Sequence, residues 1–355
     1  MNFATAAGER SPRGTSELEK KHMRKPTRIL RFAATAAALC VGLAAFAQDG
    51  RFSMVPDNAS MVVNVNYDKL FSCPTFQAFA ESGEILSPYK DLKEIPWNDS
   101  GKVPDPLVVF SLQTGLRYAM LVDTGISTKD LAARIADRHK NKKTVETKEY
   151  GIGDLLSVQR PKSDKKTKKT SLKTESEILC LAPFTAAFGR EKHPINLELF
   201  THDTLPASRF DSIRNPPDNV AVAGIILKYP IRTTEDLTGL AALVESGDFT
   251  LSEVEPGVAQ FTMHLKCKGE KEAATAARRM RSVVRIAFVT LFAADRSLFS
   301  ELKDSFRTES SGTGATLEIR LPSETLAKIR AFYLADRSIV SAATATIKIP
   351  GDSGK

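Results

Sequence analysis

Val55-Pro56-Asp57-Asn58 opens the apolar run Met61 to Tyr67, and Pro216-Pro217-Asp218-Asn219 opens the run Val220 to Leu227. Pro, Asp and Asn return in the same order 161 positions later (217 − 56 = 161). Proline followed by short polar side chains turns the chain, because those side chains satisfy nearby backbone groups. In the first run Met61, Val63, Val65 and Tyr67 alternate with Val62, Asn64 and Asn66, the period of a strand. The two stretches therefore read as the opening strands of two copies of one domain.

Other segments recur in the same order. Phe76, Phe79 and Ala80 predict a short helix stopping at Glu81-Ser82-Gly83-Glu84. Thr233 and Asp236 form a capping box for Leu237, Leu240, Ala241 and Val244, with a stop at Glu245-Ser246-Gly247-Asp248. Leu107 to Gln113 and Leu116 to Asp123 predict a hairpin around Thr114-Gly115, and Ser127 caps the following helix. Val258 to Leu265 is the corresponding strand, and Ala132-Ala133-Arg134 matches Ala276-Ala277-Arg278. Each half closes with Leu-Glu-Leu/Ile (Leu197, Leu317), Leu-Pro (Leu205, Leu321) and Ile-Arg (Ile213, Ile329). Repeats of this length are duplicated domains, since solenoid units run about 20–50 residues. The halves differ in a second hairpin, Thr144 to Tyr150 with Asp154 to Arg160, and in a long helical stretch from Glu270 towards Phe306.

The amino-terminal stretch has the layout of a secretory signal peptide. Arg24, Lys25, Arg28 and Arg31 precede an apolar stretch from Phe32 to Phe46, and small residues end it at Ala47. Residues 23–47 are read as that peptide and 1–22 as an over-called start, because Met23 directly precedes the basic stretch. The apolar part, about 15 residues, is shorter than the roughly 20 needed to span a bilayer. Residues 1–47 hold 8 of the 50 Lys and Arg and 3 of the 42 Asp and Glu, leaving 42 against 39, or +3. Lys162 to Lys173 supplies six lysines and Asp164, so everything else sums to about −2. The basic balance thus comes from a leader and one loop, which argues against nucleic acid as a partner.

No local motif announces chemistry. Asp123-Thr124-Gly125 resembles the aspartic-protease loop, but that mechanism needs two such loops, and the second half offers Cys267-Lys268-Gly269. His139, His193, His202 and His264 lack metal-ligand spacing, and no Walker loop or Gly-x-Ser-x-Gly is present. Asp57-Asn58 and Asp218-Asn219 are too few oxygens for calcium, which takes about six to eight. Lys162 to Lys173 reads as a solvated loop, Arg278, Arg279, Arg281 and Arg285 as the outer face of a core helix, and Trp97 as a loop anchor. Cys73, Cys180 and Cys267 allow at most one bridge, and buried free thiols are the expected state.

The opening motifs and the Leu-Pro with Ile-Arg closings resemble uncharacterised exported bacterial proteins in which a proline-plus-small-or-acidic motif opens each of two related domains. The resemblance implies an envelope or extracytoplasmic setting and carries no catalytic residues. The expected fold is α+β, with two related domains, each a curved, mainly antiparallel sheet with helices packed on one face. They span 51–214, with a Lys-rich loop at 161–176, and 215–345, followed by a flexible tail at 346–355. The expected function is a non-enzymatic periplasmic or secreted binding or structural protein, with no catalytic, cofactor-binding or metal residues assigned and its partner an unknown envelope ligand or protein. A groove between the halves is the expected ligand position. The alternatives are a hydrolase whose site has no local motif and a peripheral membrane-associated envelope protein.

Overall fold

The computed structural model describes residues 49–331 apart from 78–82, 99, 112–116, 140–142, 164–169, 183–184, 191–193, 229–238 and 293–295. The described residues form twelve strands in one antiparallel sheet. The first half contributes β1 (Met61–Val65), β2 (Leu107–Ser111), β3 (Arg117–Asp123), β4 (Thr144–Tyr150), β5 (Gly153–Ser163), β6 (Thr170–Ala182) and β7 (Thr185–Arg190). The second contributes β8 (Val220–Ile226), β9 (Val244–Glu255), β10 (Val258–Cys267), β11 (Phe306–Ser311) and β12 (Gly314–Pro322). Their order across the sheet is β11-β12-β10-β9-β8-β1-β2-β3-β7-β6-β5-β4.

The join is where the opening stretch matters. Outward from the join, β1-β2-β3-β7-β6 on one side faces β8-β9-β10-β12-β11 on the other, with β5 and β4 added beyond β6. Met61 lies opposite Ile226, Val63 opposite Gly224 and Val65 opposite Val222. Adding 161 to 61, 63 and 65 gives 222, 224 and 226, so the register maps onto itself, centred between Val63 and Gly224. The flanking bonds obey the same shift: Asn66 N–H donates to the Ala221 carbonyl (2.9 Å), and Leu227 N–H to the Ser60 carbonyl (2.9 Å). Both Pro-Asp-Asn openers close the same turn, Ala59 N–H to Pro56 O (3.0 Å) and Val220 N–H to Pro217 O (2.9 Å).

One face of the sheet is covered by the larger helical layer: α2 (Tyr67–Ser72), α3 (Gly83–Lys93), α4 (Thr128–Arg138) and α6 (Glu270–Phe292). Leu70, Leu92, Leu131, Ile135, Ala273, Ala276 and Met280 pack there against Val63, Val108, Phe110, Val122 and Phe249. Two of these helices start on a side-chain cap: Asn66 Oδ1 accepts from Lys69 N–H before α2, and Ser127 Oγ accepts from Asp130 N–H before α4. Helix α7 (Arg296–Lys303) and a closing helix at 323–331 follow on the second half. Among the described residues no helix is long and apolar enough to cross a membrane.

Helices on one face describe only that layer. On the other face α1 (Asp49–Ser53), 3-10 turns at Leu197–Thr201 and Ala207–Phe210, and α5 (Asp211–Arg214) cover the first half. Phe52, Phe210 and Ile213 pack there against Val62, Leu107, Val109, Leu121 and Ala187. Strands β1, β2 and β8 are therefore buried on both faces, which is why they read as nearly unbroken apolar runs.

Several local expectations change. Gly83 begins α3 instead of ending a helix, and Glu245-Ser246-Gly247-Asp248 lies inside β9. Leu197-Glu198-Leu199 is a 3-10 turn, whereas Leu317-Glu318-Ile319 lies in β12, so these two closing triplets occupy different places. The capping box at Thr233 and Asp236 lies outside the described residues. At the join the expected groove is replaced by the β1·β8 strand pair.

Candidate functional site

The candidates raised by the sequence disperse into structural roles. Asp123 receives a bond from buried Arg51 (Nε to Oδ2, 2.8 Å) and one from Thr185 Oγ1 (3.3 Å), so it anchors α1 to the ends of β3 and β7. Arg51 also donates to the Asp105 carbonyl, and the Asp105 carboxyl accepts from Tyr67 N–H (3.1 Å). Burial pushes both carboxyls, Asp105 and Asp123, up to about 6, against the pull of Arg51. His139 closes α4, its imidazole pushed below its ordinary value by burial. His202 sits 3.7 Å from Asp57, and His193 lies outside the described residues. Asp218 meets Lys69 at 4.0 Å, and no group of three or more metal-ligating side chains forms among the described residues.

Trp97 is fully buried, donating to the Leu92 carbonyl (2.7 Å) and meeting Phe188 edge-on. Arg279 donates to the Gly239 carbonyl, and Arg281 ties α6 to Thr308 at 3.0 and 3.1 Å. Lys162 and Lys173 stand on β5 and β6, and residues 164–169 between these strands lie outside the described residues. Cys73, Cys180 and Cys267 are free; burial raises the thiols of Cys180 and Cys267.

A different constellation emerges from strand register. In an antiparallel sheet, directly opposed residues put their side chains on the same face. Asp248 opposes His264, His264 opposes Thr316, and Thr316 opposes Glu309, so one row crosses β9, β10, β12 and β11. The first half has an equivalent row. Leu107 opposes Leu121, Leu121 opposes Ala187, and Ala187 opposes Leu179. The equivalence is fixed at the join: Leu107 pairs with Asn64 of β1, Asp248 pairs with Ile225 of β8, and 225 − 64 = 161. Four positions that are aliphatic core in one half are thus acid, imidazole, hydroxyl and acid in the other.

The flanking rows on that face are also polar. Thr250, Thr262, Glu318 and Arg307 stand on one side, and Ser246, Lys266, Gly314 and Ser311 on the other. Asp248, His264, Lys266, Arg307 and Glu309 are exposed, unlike the leucine row, which is buried. His264 Nδ1 lies 3.1 Å from Thr316 Oγ1. Desolvation holds the Asp248 carboxyl above the ordinary carboxylate range, and the neighbouring imidazole pulls it back. Glu309, Ser310, Ser311, Gly314 and Thr316 line an open depression at the end of the row. Such an arrangement offers hydrogen-bond donors and acceptors at strand spacing, about 4.8 Å apart. The interior strands β9, β10 and β12 are paired on both sides, whereas β11 is the edge of the sheet and pairs only with β12.

No family model, no curated protein and no solved structure matches the chain.

Proposed function

We propose that this chain is an exported, non-catalytic binding protein built from two related α+β halves, residues 51–214 and 215–345, with its ligand surface on the open sheet face of the second half. The observation that carries the reading is the replacement of the buried row Leu107–Leu121–Ala187–Leu179 by the polar row Asp248–His264–Thr316–Glu309, in which Asp248, His264 and Glu309 are exposed and Thr316 is half-buried, at equivalent register. One half uses that face to build core, and the other keeps it polar and open. The self-consistent register of β1 and β8 supports the duplication, and the leader-like residues 23–47 support export.

The test is a thermal-shift screen of the chain from Gln48 onward against envelope glycans and peptides, repeated with Glu309→Gln and Thr316→Val. Ligands that stabilise the parent and lose their effect in both variants are the expected result. A screen without any shift, or shifts that both variants retain, would end the binding reading. Export has a separate test: mass spectrometry of the native protein is expected to find an amino terminus near Gln48, and peptides from residues 24–47 in the exported protein would contradict cleavage.

A hydrolase is the second reading, favoured by the contact between His264 Nδ1 and Thr316 Oγ1. It requires the imidazole to draw a proton from the Thr316 hydroxyl. Hydrolysis of a p-nitrophenyl ester that disappears in Thr316→Val would support it over simple binding.

A further inference from the structure

We infer that the β4 edge of the sheet pairs antiparallel with β4 of a second copy of this chain, about a two-fold axis at Thr147. This goes beyond the binding reading, because β4 ends the sheet on the side away from β11 and the polar row.

Strand β4 pairs only with β5, and that pairing decides what its outer edge offers. Tyr150 and Gly153 are opposed across a two-residue turn, so they form a hydrogen-bonded pair. The register runs unbroken to Thr144, so Lys148, Glu146 and Thr144 also turn their backbone groups to β5. Val145, Thr147 and Glu149 turn theirs outward, and among the described residues no backbone bond reaches them there. A two-fold axis can therefore pass beside Thr147. Each Thr147 then bonds the other, and Val145 on each strand bonds Glu149 of the second copy.

The side chains select that partner. In the same register Glu146 faces Lys148 of the second copy, and Lys148 faces its Glu146. These are the non-bonded positions, where opposed side chains approach most closely. Glu146, Thr147 and Lys148 are all exposed. Within its own chain Glu146 accepts from Gln159 Nε2 (2.9 Å), and Lys148 lies over the Tyr150 ring (5.2 Å). Neither forms an ion pair among the described residues. Charges on a sheet edge resist foreign strands, but this set is complementary to its own copy.

The other edge is guarded. Strand β11 carries the related triplet Arg307-Thr308-Glu309. Ser305 O accepts from Arg320 N–H, so by alternation Thr308 turns outward, and there Arg281 of α6 already donates to its carbonyl (3.1 Å). Antiparallel pairing of β4 with β11, centred on the two threonines, would oppose Glu146 to Glu309 and Lys148 to Arg307. Like charges directly opposed are destabilising, which favours a closed pair over an open chain of copies.

The experiment is sedimentation equilibrium of the full chain over a range of concentrations. A dimer that dissociates on dilution is expected, since a pair of seven-residue strands is a small interface. Glu146→Lys and Lys148→Glu should each weaken it roughly tenfold or more, because both cross-strand contacts become repulsive. Mixing these two variants should restore association, as opposite charges then meet at both contacts. Thr147→Pro removes an N–H that faces solvent in the monomer, so it should abolish the dimer while keeping the parent's circular dichroism. A chain that stays monomeric, or a dimer that survives Thr147→Pro, would overturn the site. A dimer indifferent to both charge reversals, or a mixture no tighter than either variant alone, would overturn the two-fold register and the second copy as its partner.

Discussion

Arg51 carries a charge into a place with almost no solvent, and Asp123 supplies its counter-charge at 2.8 Å. Removing one partner of a buried pair leaves the other uncompensated, which costs about 3–5 kcal/mol. Asp123→Ala is therefore expected to lower stability by that order, read as the urea midpoint. Asp105 behaves differently. Its folded carboxyl titrates at about 6, whereas an unfolded aspartate titrates near ~3.9. Between those values the folded chain binds a proton that the unfolded chain has released, so stability falls as pH rises through them. A difference of about two pKa units is on the order of 3 kcal/mol. Asp105→Asn keeps the acceptor for Tyr67 N–H and the carbonyl used by Arg51, so it should flatten part of the stability slope between about pH 4 and 7. Urea titrations at both ends of that range check it; an unchanged slope would show that Asp105 is not the titrating group. At the join, a methyl group on Gly224 would clash with the Cζ end of the Phe249 ring. Gly224→Ala is expected to cost about 1–3 kcal/mol through overpacking, and a crystal structure of the variant should show the ring displaced.

At the scale of elements, the opening motifs, the hairpin β2–β3, the Ser127 cap and the pair β4–β5 are legible in the sequence because each has local chemistry: a turn, a period of two, or a capping hydroxyl. Strand β9 is not. Leu237, Leu240, Ala241 and Val244 have helical spacing, yet β9 starts at Val244, and Gly247 serves close approach to the backbone of β10, not a helix stop. The polar row is invisible for a related reason. Ser246, Asp248 and Thr250 belong to one alternating set, and Gln260, Thr262, His264 and Lys266 to another, but only the register aligns the two. A period-two polar alternation in two neighbouring segments is the available signal. It disappears once the first segment is taken for a helix end. For α4, Ser127 Oγ accepts from Asp130 N–H and donates to the Asp130 carboxylate (2.6 Å). Ser127→Ala should cost about 1 kcal/mol, measurable as a drop in thermal midpoint.

Taken whole, the molecule has one sheet running through both halves, so the interface between them is a strand pair with core on either side. Damage on one side should be felt on the other. Val222→Asp, which puts a charge into that core, is expected to accelerate amide exchange in β2 and β3 as well as in β8 and β9. Exchange changes confined to the second half would mean that the halves unfold independently. Residue patterns suggest two related units and are silent on their fusion, because they report which face is buried and not which strand lies alongside.

The centring of the β1·β8 register between Val63 and Gly224 has a kinetic consequence. These strands meet only after the intervening residues have folded or been bridged, so this long-range pairing closes late. Until then each half displays an apolar edge that is complementary to the edge of the equivalent strand, in its own chain or in another. Two nascent chains can satisfy both edges by reciprocal exchange, giving a swapped dimer with the same hydrogen bonds as the monomer. Refolding from urea should therefore produce a dimer fraction that grows with protein concentration and persists after dilution, resolved by size-exclusion chromatography.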